Sequence, residues 1–135
     1  MSEEKDVIVR KAMEAWNRGD WDGVLKDAAP DFVLDNSTAM GEWRGVHHGA
    51  DQVKAMWQKF TEPWESVCIE ISEFIDVSEE VVLTRQKAHF VGRDRIEVPG
   101  PVRSGWLWTI RDGALVHLAV YANLDDALEA AGLAE

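Results

Sequence analysis

The sequence predicts an α+β fold in which helices cover one face of a curved antiparallel sheet, and three observations carry this. Helical periodicity dominates the first half of the chain, a period of two takes over from Glu65, and the tight-turn signal Arg111-Asp112-Gly113 joins the last two strand-like runs. Helices that mainly precede a meandering set of strands, rather than alternating with it, mark α+β and not a doubly wound parallel sheet. A bent sheet lined by helices on one side leaves a concave hollow, the default place to look for a ligand.

The elements follow in order. From Asp6 to Arg18 the apolar residues Ile8, Val9, Ala12, Met13, Ala15 and Trp16 recur at helical spacing, with Ser2 able to cap the start and Gly19 at the C′ position. Asp20 fits as N-cap of a second, shorter helix through Trp21, Val24, Leu25 and Ala28, which Pro30 ends at or before Ala29. Phe32 to Ser37 reads as a short strand, and the stretch to Gly49, rich in Gly, Trp and His, as a loop. Val53, Met56, Trp57 and Phe60 fall at i, i+3, i+4 and i+7, a core-facing stripe of a third helix limited by Pro63. Then Val67, Ile69 and Ile71 alternate with Cys68, Glu70 and Ser72, and Val81–Val91, Val102–Ile110 and Leu115–Tyr121 give three more strands rich in β-branched and aromatic residues. Asn123 can cap a short closing helix, with Gly132 after its last turn. No repeat and no linker divides residues 1–135, so one domain is expected.

Composition bounds the function. The 135 residues are 46% hydrophobic and 29% charged, which fits a globular domain and not a disordered or disulfide-rich chain. Fourteen Lys and Arg against twenty-five Asp and Glu give a net charge of −11, the wrong sign for a nucleic-acid backbone or an anionic membrane surface. The acidic start (Met1 to Asp6) is unlike a signal peptide, so a cytoplasmic location is expected. The single cysteine, Cys68, excludes an intrachain disulfide and a cysteine-based zinc cluster, and its strand-like surroundings predict a half-buried structural thiol rather than a nucleophile.

Several motifs look familiar. Ala15-Trp16-Asn17-Arg18-Gly19-Asp20-Trp21-Asp22, Ala29-Pro30-Asp31-Phe32-Val33, Gly49-Ala50-Asp51-Gln52-Val53 and Trp108-Thr109-Ile110-Arg111-Asp112-Gly113 resemble the SnoaL-like branch of the nuclear-transport-factor-2-like superfamily. The run from Tyr121 to Leu133 is similar to the tail of many bacterial members, so the resemblance covers nearly the whole chain. It implies a cone-shaped sheet with the N-terminal helices over its concave face, and a homodimer through the convex face, where His117 and Tyr121 are expected. It leaves the chemistry open, because this scaffold hosts isomerases, cyclases, dehydratases, epoxide hydrolases and non-catalytic binders.

Two chemistries can be compared residue by residue. The base and oxyanion-hole positions of ketosteroid isomerase fall on Asn36, Ala12 and approximately Trp106, none of which can replace a carboxylate base or an O–H donor. The Asp-Arg-Asp set of limonene-type epoxide hydrolases falls on Arg85, Lys87 and Val120, which keeps only the arginine. If Arg85 faces the hollow, the strand period puts Lys87 and His89 there too, two cations to hold negative charge and one imidazole to transfer protons near pH 7. The alternative is an exposed face whose charges pair with some of the acids.

Four of the seven tryptophans, Trp16, Trp57, Trp106 and Trp108, either line a pocket or fill the core. His47-His48 lacks the spacing of a metal site. The expectation is thus a small hydrophobic ligand carrying an anionic or carbonyl group, oriented by Asn36, held by Arg85, Lys87 and the tryptophans, with His89 as the catalytic group of a cofactor-free isomerase, cyclase or lyase. No metal is implied. The alternative is a non-catalytic ligand-binding or dimerisation module.

Overall fold

The computed structural model describes residues 2–36, 45–93, 102–121 and 124–132. Helix α1 (Ser2–Asn17) buries the whole predicted stripe of Ile8, Val9, Ala12, Met13, Ala15 and Trp16. Gly19, at φ +74°, ends it in the left-handed region where a Cβ would be strained. The Asp20 carboxylate then accepts from the Gly23 N–H at 2.9 Å and caps α2 (Trp21–Leu25).

Helix α2 stops short of the predicted Ala28, because that residue already opens strand β1 (Ala28–Asp35). Pro30 therefore lies inside a strand. β1 pairs with β6 (Ala114–Tyr121) in parallel, yet between the Ala28–Leu115 and Val33–His117 pairs four residues of β1 pass against one of β6. Proline has no N–H for a ladder and is tolerated in such an irregular stretch. A second correction concerns the expected loop, whose end forms β2 (Val46–His48), antiparallel to β1. Asn36 continues that pairing, donating its backbone N–H to the Gly45 carbonyl at 2.7 Å. Ser37 and Asn123 lie outside the described residues.

Helix α3 (Gly49–Thr61) buries Val53, Met56 and Trp57. Three long strands follow, β3 (Trp64–Asp76), β4 (Val81–Gly92) and β5 (Val102–Arg111). Asp112 and Gly113 turn the chain into β6 with φ of +54° and +77°, the two successive positive angles of a type I′ hairpin. The six strands lie in the order β2-β1-β6-β5-β4-β3, antiparallel except at β1–β6, and leave the sheet curved and unclosed.

Side-chain contacts fix the helices to the sheet. The Asn17 side-chain amide donates to the Ile69 carbonyl and accepts from the Ile69 N–H, both at 2.8 Å, so the end of α1 satisfies backbone groups on the edge strand β3. Near the other end of α1, Lys5 is buried and meets the Asp76 carboxylate at 2.7 Å and the Ser78 carbonyl. Helices α1 and α3 pack on the concave side, whereas α4 (Leu124–Ala130) packs on the outer face of β4, β5 and β6. Gly105 makes that packing possible, since a Cβ there would lie 2.8 Å from the Ala127 Cβ. Leu83, Ala119 and Ala127 are buried outside the main core, as a thin second layer beneath α4.

Cys68 is exposed, not half-buried, because it points outward beside the inward Ile69. Among the described residues no helix is long and apolar enough to cross a membrane.

Candidate hydrogen-bonding hollow

The concave face and its helices enclose a hollow of about 180 Å³. β1 contributes Leu34 and Asn36, α3 contributes Met56, Trp57 and Phe60, and α1 contributes Trp16. From the sheet come Ile69, Ala88, Phe90, Ser104, Trp106, Leu118 and Val120. Alternation explains the selection, since residues of one parity on each strand share a face.

That alternation corrects the expectation for β4. Thr84, Gln86 and Ala88 are buried and point inward with Phe90, so Arg85, Lys87 and His89 stand on the opposite face. There the Arg85 guanidinium donates to Glu73 at 2.9 Å, and His89 Nε2 lies 3.8 Å from a Glu70 carboxylate oxygen, with both partners about half exposed. Exposed pairs of this kind contribute little to stability and do not reach the hollow. None of the three lines the cavity.

The tryptophans divide. Trp16, Trp57 and Trp106 line the hollow, whereas Trp108, 2% exposed, lies in the core behind Trp106 at a ring separation of 5.8 Å. Trp16 and Trp57 flank Trp21 at 5.4 and 5.5 Å, and Phe60 continues from Trp16 at 6.4 Å to Phe90 at 6.1 Å. This chain of tilted rings makes a stiff apolar wall, because each ring has few rotatable bonds and packs on its neighbours.

Sequence reasoning missed the polar floor. Gln86, 2% exposed, and Thr84, fully buried, sit under the hollow on β4, opposite Ser104 and Trp106 of β5. The Trp108 indole N–H donates to Thr84 Oγ1 at 2.9 Å, and the Trp106 N–H donates to the Gln86 side-chain oxygen at 2.8 Å. The Gln86 amide nitrogen donates in turn to the Thr84 hydroxyl at 2.8 Å and to its carbonyl at 3.1 Å. Among the described residues no buried side-chain nitrogen or oxygen lacks a partner. A signal was available, for three charged or titratable residues share one parity of β4 and the other carries Val82, Thr84, Gln86, Ala88 and Phe90.

The chemistry of the lining is neutral. Among the described residues of the hollow there is no Asp, Glu, His, Lys, Arg, Cys or Tyr. Ala12 is buried in α1 and does not line the cavity, while Asn36, 6% exposed, does. His47 and His48 lie on β2, and among the described residues no three His, Cys, Asp or Glu side chains gather to hold a metal.

Comparison with known proteins gives a consistent picture. The SnoaL-like domain profile matches residues 9–118. An NTF2-like protein of unknown function from Burkholderia pseudomallei has a similar structure, with a TM-score of 0.78 at 20% identity over 93% of this chain and 95% of that one. A putative polyketide cyclase from Sinorhizobium meliloti gives 0.66 at 26% identity over 87% and 97%. RV0760c from Mycobacterium tuberculosis, solved in complex with estradiol-17beta-hemisuccinate, gives 0.73 at 16% identity over 88% and 93%. No curated protein sequence matches.

Proposed function

Because the chain belongs to the SnoaL-like domain family and has the NTF2-like fold, we propose that it binds a small, neutral, largely apolar molecule in the hollow of its curved sheet. One observation carries the proposal: a cavity of about 180 Å³ whose described lining is aromatic and aliphatic apart from Asn36 and Ser104. An apolar cavity of about 150 Å³ takes up a benzene ring, and drug-sized sites start near 300 Å³, so the fitting class is a molecule of one or two small rings. Burial of its apolar surface supplies the driving force, and the indole faces supply shape. The complex of RV0760c with estradiol-17beta-hemisuccinate supports a binding role for this fold.

An anionic ligand is not favoured, because no cation faces it among the described lining residues. Proton transfer needs an acid or base within hydrogen-bond reach, which the same residues do not supply. Ligand holding is therefore the best-supported activity, and an isomerase, cyclase or lyase step would draw its acid or base from outside this set. A homodimer through the outer face beside α4 is part of the proposal. Sedimentation giving twice the chain mass at micromolar concentration supports it, and the mass of one chain removes it.

Calorimetric titration with toluene or indole tests the binding role, with one saturable site per chain as the expected result. The variants Arg85→Ala, Lys87→Ala and His89→Ala are expected to bind within about twofold of the parent, as surface changes away from a site do. Absence of saturable binding would remove the proposal. Loss of binding in one of these variants would return the outer face of β4 to the site.

A further inference from the structure

We infer that the hollow selects a ligand that donates a hydrogen bond, namely a phenol, an alcohol or an N–H on an apolar frame, and that Ser104 Oγ receives it. This rests on the binding role proposed above and names the substrate class of that same site. It follows from the directions of the hydrogen bonds beneath the floor.

Two groups in that network can act in one way only. An indole N–H can only donate, and a backbone carbonyl can only accept. The Gln86 side-chain atom 2.8 Å from the Trp106 N–H is therefore the oxygen, and the atom 3.1 Å from the Thr84 carbonyl is the nitrogen. With both ends of the amide fixed, the Ser104 hydroxyl, 2.9 Å from the same Gln86 oxygen, must be the donor of that bond. Its one proton is directed away from the cavity, and its lone pairs are what Ser104 presents to a ligand. Trp106 lines the same wall, but its N–H is already committed to Gln86.

A ligand hydroxyl or N–H placed at Ser104 completes the network. A carbonyl placed there meets oxygen lone pairs with its own and leaves its lost hydration uncompensated. Redirecting the Ser104 proton toward such a ligand would deprive the buried Gln86 oxygen of one of its two donors. The floor thus discriminates by hydrogen-bond direction with no charged group involved.

The test is calorimetry with three probes of similar size, 4-methylphenol, 4-methylbenzaldehyde and toluene, on the parent and on Ser104→Ala. That variant leaves Gln86 its bond from Trp106, and a thermal melt checks that it folds. The parent is expected to bind the phenol about tenfold more tightly than the aldehyde, the effect of one matched against one mismatched buried hydrogen bond. Ser104→Ala is expected to abolish that preference. Equal or tighter binding of the aldehyde by the parent overturns the inference, and so does a preference that survives in Ser104→Ala. Toluene binding with no binding of the phenol overturns the inference but leaves the binding role standing, whereas failure of all three probes removes both.

Discussion

Replacing Trp108 with alanine is expected to cost about 4 kcal/mol of stability, the typical loss for a large aromatic side chain removed from a packed core. Trp108 is 2% exposed on β5, packs at a tilt against Trp106 and donates its N–H to Thr84 Oγ1 at 2.9 Å. Truncation removes all three contributions and opens a void directly under the wall of the hollow. For a chain of this size the melting temperature should fall by roughly 10–20 °C. Trp108→Phe keeps an aromatic ring there but loses the N–H and the pyrrole part of the indole, with an expected cost of about 1–3 kcal/mol, between the parent and the alanine variant. Urea unfolding of both variants checks the order, and losses below about 1 kcal/mol for the alanine variant would show that Trp108 does not carry the core.

Filling the hollow should have the opposite signature. Ala88 lines the cavity from β4 opposite Ile69 of β3, and its side chain points into the space a ligand ring would take. Ala88→Phe places a phenyl ring in a cavity of about 180 Å³ and is expected to weaken binding of toluene or 4-methylphenol by about a hundredfold or more. Stability should stay within about 1 kcal/mol of the parent or rise, because cavity filling without overpacking is neutral to favourable. Unchanged affinity would mean that the ligand sits elsewhere, and a large loss of stability would mean that the cavity is too tight for a ring.

The sequence read well wherever one periodicity dominated. The α1 and α3 stripes, the Gly19-Asp20 corner and the Asp112-Gly113 hairpin each depend on local chemistry: a buried face, a cap, a positive φ. The elements that departed from expectation depend on distant partners. Pro30 is accommodated in β1 by the irregular register against β6, and the three residues of β2 become a strand only because β1 offers an edge. The candidate site divides in the same way. Trp16, Trp57, Trp106 and Asn36 came to the lining through their own stripes and strands. Arg85, Lys87 and His89 were placed by a strand register borrowed from the epoxide hydrolase pattern, and a slip of one residue exchanges the faces of a strand. The buried Gln86 and Thr84 went unnoticed because neutral polar residues on a strand give no signal until their partners across β5 are known.

The most direct measurement is a crystal structure of the protein soaked with 4-bromophenol, with the bromine located by anomalous scattering. The expected result is one site per chain inside the hollow, the ring against Trp57 and Trp106 and the phenol oxygen within hydrogen-bonding distance of Ser104 Oγ. Bromine found only on the outer surface, with the hollow closed by the protein's own side chains, would contradict ligand binding in the hollow of this protein.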